Sequence, residues 1–524
     1  MNLIQYFPKS FTPRITQIDV LSKISQAIDN NKKFIIVSAA TGSGKSFIAK
    51  CIANITTSHS NDYCEDIIHY KFNTDYNTGD SGAFILTVTK NLQDQYNSFF
   101  NDISICKGKQ NFKCSKDTTR TCDIGLCVCT PGCKRECLLD DNCKYYLQKK
   151  QALLSQITVL NYEQYFSFEE TVNKRSVIIC DEASELENKL VEYGTLRIDI
   201  DSLKHKYDIK INALPSTATM KTWLIEIYTQ LVQWLKTHNL QTRNKSDITK
   251  YTNAMQLQEK LELVLQCWDK SDYILSHELY TKIWTFTPTY ISEHANLIFN
   301  NAKTVVLMSA TIIDHENFAK TLGIPLENYV YVDAKSEFNP DKSPIYIANN
   351  FNLNFKNLQQ MLPNIVTYIK TICEHHKDER GIIHTHTQYI ADYIKSHYKS
   401  SRLLVKTDDT TNEQILNIHS QCKNSILVSP SLTHGVDLKD DLARFQIIVK
   451  LPWLPLGDLR VKKLASIDRR WYINKMFSTL IQACGRGVRT VDDWCVTYVL
   501  DSSLITLLKQ YQHILPEFFI KRFK

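Results

Sequence analysis

The stretch FIIVSAATGSGKSFIAKCIA, residues 34 to 53, limits the fold more than any other part of the chain. Phe34 to Val37 is a β-branched and aromatic run with the pattern of a buried strand. Thr41 to Gly44 forms a small, glycine-containing turn, and the apolar spacing from Lys45 onward is helical. Strand, loop and helix in that order aim backbone N–H groups and a helix N-terminus at one point, which is what phosphate oxygens require. Ala40, Thr41, Gly42, Ser43 and Gly44 are therefore expected to cradle nucleotide phosphates, Lys45 to reach the β and γ phosphates, and Ser46 to ligate magnesium. Ala39 replaces the first glycine of the usual pattern and is small enough for the same turn.

A phosphate loop of this kind needs a carboxylate pair on a neighbouring strand to hold the metal and orient the attacking water. SVIICDEASELEN, residues 176 to 188, supplies it, with Asp181 and Glu182 at the end of an apolar run, where a doubly wound sheet places its ligands. Asp181 is expected to act on magnesium and Glu182 to orient or deprotonate water. Without the upstream loop the same residues would read as an ordinary acidic strand end.

At 524 residues the chain has room for several domains, and its net charge of +7 permits contact with nucleic acid without demonstrating it. The first residues, MNLIQYFPKSFTPRITQ, lack an apolar leader, and no apolar run is long enough to span a bilayer, so the protein is read as soluble and intracellular, with no membrane partner. Against that background the cysteines are conspicuous: Cys106, Cys114, Cys122, Cys127, Cys129, Cys133, Cys137 and Cys143 hold half of the sixteen in the chain. In a reducing compartment such a cluster more often binds a metal than forms disulfides. Spacing alone does not separate iron from zinc. Closely spaced thiolates such as Cys122 or Cys127 with Cys129 and later cysteines would suit tetrahedral zinc.

ATGSGKS, the DEAS at 181 to 184, Ser309-Ala310-Thr311 after the strand TVVLM, and QACGRGVR at 482 to 489 resemble motifs I, II, III and VI of the superfamily 2 helicases. That resemblance implies coupling roles for Ser309 and Thr311, a place for Gln482 near the γ phosphate, and arginine fingers in Arg486 and Arg489. Planar, permanently charged guanidinium groups suit a developing phosphoryl charge. PRITQ, with Arg14 and Gln17, resembles the adenine-reading element ahead of motif I, and ILTVTKNLQDQY, residues 85 to 96, resembles motif Ia. LNYEQYF, GVDL with Asp437, and IIVKLPWLPLGD are similar to the XPD/DinG branch, and Asp437 is expected at the nucleotide on that ground.

The same branch carries a cysteine-bearing insert between motifs Ia and II, where this cluster lies. KGKQNFKC resembles the approach to its first ligand and CKYY the approach to its last. The resemblance implies a [4Fe–4S] cluster on Cys114, Cys133, Cys137 and Cys143, with zinc as the competing metal. Motif II departs from the family, which commonly has His where this chain has Ser184.

The expected fold is α/β: two RecA-like P-loop motor domains, the first interrupted by the Cys-rich metal-binding insert and by a helical arch. Residues 1–100, 156–190 and 296–335 are assigned to motor domain 1, 101–155 to the Cys-rich insert, 191–295 to the arch and 336–524 to motor domain 2. MKTWLIEIYTQLVQWLKTH and AMQLQEKLELVLQCWDK have helical apolar spacing and read as packing surfaces. RRWYINKMF, residues 469 to 477, mixes cations with aromatics as single-strand tracks do, yet reads better as an amphipathic helix packed by its aromatics. His384 and His386 at a strand end read as surface polarity or a loop facing DNA.

These features together imply a monomeric, ATP- and magnesium-dependent DNA helicase acting on single-stranded and forked DNA in repair, replication or recombination. Its 5′ to 3′ polarity is implied by the resemblance alone. A translocase or remodeller that moves without separating strands is the competing enzyme class, and a nucleic-acid-binding module that has lost turnover is the competing non-enzyme, suggested by Ser184. The Lys-, Asn- and Ile-rich composition would suit a virus, phage or other AT-rich genome, with the host cytoplasm or nucleus as the compartment.

Overall fold

The protein, described here from a computed structural model, is resolved over residues 2–40, 42–56, 82–125, 137, 142–168, 174–238, 245–277, 281–354, 356–405, 411–430, 438, 440–488 and 492–524. Strands β1 (Phe34–Ala39), β2 (Ala83–Thr87), β3 (Ser104–Ile105), β4 (Ile157–Asn161) and β5 (Arg175–Asp181) open the first sheet. The chain then leaves it for β6 (Leu196–Asp199), β7 (Tyr273–His277) and β8 (Ile283–Pro288), and returns through β9 (Ala302–Ser309) and β10 (Tyr329–Ala334). The first sheet has the order β10-β1-β9-β5-β2-β4-β3, parallel throughout. Every residue of β1 and β2 is buried, as expected of central strands covered on both faces.

A second parallel sheet follows, built from β11 (Ile345–Ile347), β12 (Gly381–His384), β13 (Leu403–Val405), β14 (Ile426–Ser429), β15 (Phe445–Ile448) and β16 (Val496–Val499), in the order β11-β16-β15-β12-β14-β13. Two parallel α/β units therefore carry the motifs, as the RecA-like reading expects.

The segment between β5 and β9, expected to be mainly helical, also contains a sheet. Helices Met220–Thr237 and Lys245–Gln266 are present, but they pack with a three-stranded antiparallel sheet of order β6-β8-β7. Trp223, Leu224, Ile227 and Leu231 recur on one helical face and bury against Phe286 of β8 among others, confirming the stripe as a packing surface. The four-residue strand β6 alternates buried and exposed residues, a signal too short to stand out beside two long amphipathic helices.

Strand order is what assembles the site. Because β9 lies between β1 and β5, the ends of all three strands are neighbours: Ser38 pairs in register with Ser309, and Met308 with Asp181. Three motifs far apart in sequence thereby meet at one edge, the carboxyl end of a parallel sheet.

Candidate active site

The phosphate loop is shaped by glycines that take left-handed backbone angles, Gly42 at φ 80° and Gly44 at φ 79°. An L-residue at position 44 would be strained by its φ, and its Cβ would lie 2.3 Å from Nε2 of Gln17. Gln17 is fastened to the loop, donating from Nε2 to the Ser43 carbonyl at 3.1 Å and accepting from the Arg14 backbone N–H at 2.9 Å. Arg14 donates from Nη1 to the Gly42 carbonyl at 2.9 Å. Both residues predicted to read adenine thus brace the phosphate loop. The Ser43 hydroxyl is buried with no hydrogen-bond partner among the described residues, chemistry that suits a phosphate oxygen. Thr41 lies outside the described residues.

Lys45 opens the helix Lys45–Asn54, and its Nζ, largely buried, sits 3.3 Å from Oε1 of Glu182. Asp181 closes β5 and is 3% exposed. Its Oδ1 accepts the Glu182 backbone N–H at 3.0 Å, its Oδ2 accepts the Tyr96 hydroxyl at 2.9 Å, and its carbonyl accepts the Tyr162 hydroxyl at 3.2 Å. Burial, reinforced by the charge of Glu182, pushes the Asp181 carboxyl up to about 6, against the pull of Lys45 and Tyr96. A divalent cation at this point would favour the carboxylate. Glu182 has φ 51°, a left-handed angle costly for a non-glycine residue and characteristic of sites that aim a side chain.

Hydroxyl groups join this carboxylate to the end of β9. Ser309 donates to Oε2 of Glu182 at 3.0 Å, and Thr311 donates to Oγ of Ser184 at 2.9 Å, with Ser184 and Ser309 themselves 2.9 Å apart. Ser184, where the resembled family has His, still bridges motifs II and III.

Gln482, near the end of the helix Arg469–Cys484, lines a narrow cleft that Ala40, Ala310 and Thr311 line from the first domain. Arg486 is buried two residues past that helix, and its charge acts on His384 at the end of β12. Burial first, then Arg486, brings the His384 imidazole down to about 4, so it stays neutral at ordinary pH. His384 is thus an interior residue of the second domain, correcting the surface and DNA-loop readings. Arg489 and Asp437 lie outside the described residues.

Two known families match the chain, the res subunit of type III restriction enzymes over residues 10–217 and the helicase C-terminal domain over residues 383–521. Among curated proteins, the ATP-dependent DNA helicase XPD of Sulfolobus acidocaldarius is 21% identical over 421 residues, covering 71% of this chain and 74% of the relative. The ATP-dependent DNA helicase CHL1 of Kluyveromyces lactis is 20% identical over 483 residues, 73% of this chain, which spans only 59% of that relative. A solved XPD helicase superposes with TM-score 0.62 at 18% identity, covering 96% of this chain and 98% of its own. Xpd4 of S. tokodaii gives 0.58 at 13% identity, with 98% and 99% covered. The chain is thus similar to the XPD-like DNA helicases of superfamily 2.

In this XPD-like chain the Cys-rich insert begins with two short paired segments. Lys113 bridges Thr121 in antiparallel fashion, the Cys114 N–H donates to the Arg120 carbonyl at 2.9 Å, and the Cys122 N–H donates to the Phe112 carbonyl at 2.9 Å. Cys114 and Cys122 are thereby neighbours on adjacent segments. Gly125 passes so close that a Cβ there would lie 3.2 Å from Cys114 Sγ and 3.4 Å from the Cys122 Cα. Cys122, Cys137 and Cys143 pack into one buried cluster with Tyr145 and Tyr146. Cys114, Cys122, Cys137 and Cys143 are all buried, and none of them is in a disulfide. This donor chemistry suits a thiolate-bound metal. Among the described residues, however, no group of three or more His, Cys, Asp or Glu side chains is arranged to hold an ion. Cys127, Cys129 and Cys133 lie outside the described residues.

Sequence reasoning missed Tyr96 and Glu187 and gave Tyr162 no role: the two tyrosine hydroxyls reach Asp181, and the Glu187 carboxylate reaches the second domain. Tyr96 and Tyr162 fall within stretches already matched to the family, but their hydroxyls gain meaning only once β2, β4 and β5 are side by side.

Proposed function

We propose that the chain is an ATP- and magnesium-dependent DNA helicase that moves on single-stranded DNA and opens duplex at forks. The observation that carries this reading is the convergence of Lys45, Asp181 and Glu182 at one sheet edge, beside a cleft that Ala40 of the phosphate loop and Thr311 share with Gln482 of the second domain. Lys45 would hold the β and γ phosphates, Ser46 and Asp181 would face magnesium, and Glu182 would orient the water. Gln482 and the motif VI arginines would complete the charge around the transferring phosphoryl group. The Ser309–Glu182 hydrogen bond gives a route by which the state of the phosphate reaches the end of β9.

A monomer acting in repair, replication or recombination is the finer reading, and its 5′ to 3′ polarity rests on the family resemblance of the motifs alone. Residence inside the cell, including a viral host cell, belongs with it. Among the described residues no helix is long and apolar enough to cross a membrane. An iron–sulfur cluster on buried thiols is proposed for the Cys-rich insert; when bound, it would cross-link a segment with little apolar core of its own.

The test is hydrolysis of ATP with and without single-stranded DNA by wild type, Lys45→Ala and Glu182→Gln, beside displacement of a strand from a forked duplex. Wild type is expected to hydrolyse faster with DNA and both variants to lose the activity. Undiminished turnover by Glu182→Gln would remove this residue from the chemistry. Hydrolysis without displacement would leave a translocase or remodeller.

A further inference from the structure

RRWYINKMF, the cation–aromatic run at 469 to 477, is neither a single-strand track nor only a packed helix: it is where the two motor domains are joined. Glu187, in the first turn of the helix Leu186–Gly194 directly after the DEAS turn, is 3% exposed. Its Oε1 accepts Arg460 Nη2 at 2.7 Å and its Oε2 accepts Lys475 Nζ at 2.7 Å, while Trp471 Nε1 donates to both oxygens at 3.2 and 3.1 Å. Each of these donors belongs to the second domain. A carboxylate buried without partners would cost several kcal/mol, so this one is a fixed attachment point only while the domains remain joined here.

The same helix is fastened to the end of β9 as well. Arg470 pairs with Asp314, through Nη2 to Oδ1 at 2.8 Å; Asn474 donates to Asp314 Oδ2 at 3.0 Å; and Ser478 donates to the Thr311 carbonyl at 3.2 Å. The attachments run from residue 470 to residue 478. Beyond them the helix runs on to Gln482, which lines the cleft, and its end is tied into the second domain by Gln446 and Arg522, which donate to the Cys484 carbonyl at 3.1 and 3.0 Å, with Arg486 following. From Lys475 to Gln482 is seven residues, or about 10 Å of helix at 1.5 Å per residue.

We propose that Glu187 is a positioning residue for Gln482 and Arg486, holding the helix that leads to them against the DEAS turn so that the two move with motif II. Five residues separate Glu187 from Glu182, and a 3-10 turn, Ala183–Glu185, connects them. A shift of the carboxylate turn therefore displaces the anchor, and the rigid helix carries that displacement to the far side of the nucleotide cleft. The coupling is a continuous chain of hydrogen bonds and one helix. Glu187 touches no reacting group itself.

This inference rests on the helicase reading, and the experiment separates the two. Steady-state ATP hydrolysis saturated with single-stranded DNA is measured for full-length wild type, Glu187→Gln, Glu187→Asp and Lys475→Met, with thermal melting on each preparation. Glu187→Gln keeps the shape and removes the charge. It is expected to lower kcat about tenfold, a 1.4 kcal/mol effect, while leaving KM for ATP within about twofold, because Lys45 and its loop are untouched. Glu187→Asp is expected to recover part of kcat, and Lys475→Met, altering a half-buried partner, to repeat the kcat loss if Glu187→Gln folds poorly. Active wild type with variants of equal kcat overturns this inference and leaves the helicase reading intact. A rise in KM without a fall in kcat overturns it too. Wild type that hydrolyses no ATP overturns both.

Discussion

The hydroxyl of Ser184 lies 2.9 Å from that of Ser309, and Ser309 in turn donates to Glu182 at 3.0 Å. A side chain shorter than the family's His thus still ties motif II to motif III, because β5 and β9 are adjacent and in register. Ser184→Ala would leave Thr311 and Ser309 each short of a partner, at a cost of about 1–3 kcal/mol per buried polar group. DNA-stimulated ATP hydrolysis is expected to fall by about tenfold or less, with strand displacement per ATP consumed falling further, since what is lost is the link and not the carboxylate. Both quantities are read on one preparation. A variant that displaces strands at the wild-type ratio to ATP would show that the hydroxyl bridge carries no coupling.

Tyr96 is fully buried, and its hydroxyl donates to Asp181 at 2.9 Å and lies near Ser46, the two residues expected to face magnesium. Tyr96→Phe removes one oxygen and no packing volume to speak of. Asp181 then loses its Oδ2 donor, and the pair loses the group that fixes its separation. The magnesium concentration giving half-maximal ATP hydrolysis is expected to rise by about three- to tenfold, the equivalent of about 1 kcal/mol. An unchanged magnesium titration would reduce Tyr96 to a core residue.

The strand–loop–helix unit and the DE pair were legible because their chemistry is local: each needs a short run of defined residues, and both are where they were expected. The paired motor domains were expected from the resemblance of the motifs to the helicases. What the sequence could not reveal arises from adjacency. Tyr96 and Asp181 are 85 residues apart, and Glu187 and Trp471 are 284 apart. Aromatics and lysines in RRWYINKMF have the same one-dimensional pattern whether they meet a nucleotide base, a core or a buried glutamate. Only the fold shows which. The antiparallel sheet beside the arch helices was hidden for a different reason, since a four-residue strand such as β6 has hardly two alternations to display.

Glu187 also makes a prediction about acid. Burial opposes its ionisation, but Lys475 and Arg460 outweigh burial and bring the carboxyl down to about 2 from an ordinary 4.5. A folded value below the unfolded one means that the charge stabilises fully above 4.5. Stability is then lost as pH falls through that range, and the contribution is gone near 2. The full contribution is about 3 kcal/mol by linkage. Glu187→Gln is therefore expected to melt below wild type by a constant margin between pH 5 and 7, with the two curves converging from pH 4.5 downward. A margin still undiminished at pH 3 would assign the loss to shape and not to charge.

Cys122 is the remaining case, because the family resemblance implies a metal on Cys114, Cys133, Cys137 and Cys143, whereas the fold sets Cys122 in one buried cluster with Cys137 and Cys143 and on the segment paired with that of Cys114. A thiol buried there with no metal role would be replaceable by Ser at the cost of a core contact alone. A ligand would not. Cys122→Ser is expected to lower bound metal as far as Cys114→Ser does, measured as iron and zinc per chain on anaerobically purified protein, with the visible absorption of thiolate-bound iron falling in proportion. Cys106→Ser, at another buried cysteine of this region whose Sγ contacts the Lys107 carbonyl, is the control expected to keep its metal. Full metal in Cys122→Ser, with loss in Cys133→Ser, would return the fourth position to Cys133. Zinc without iron in wild type would keep the structural role and change the metal.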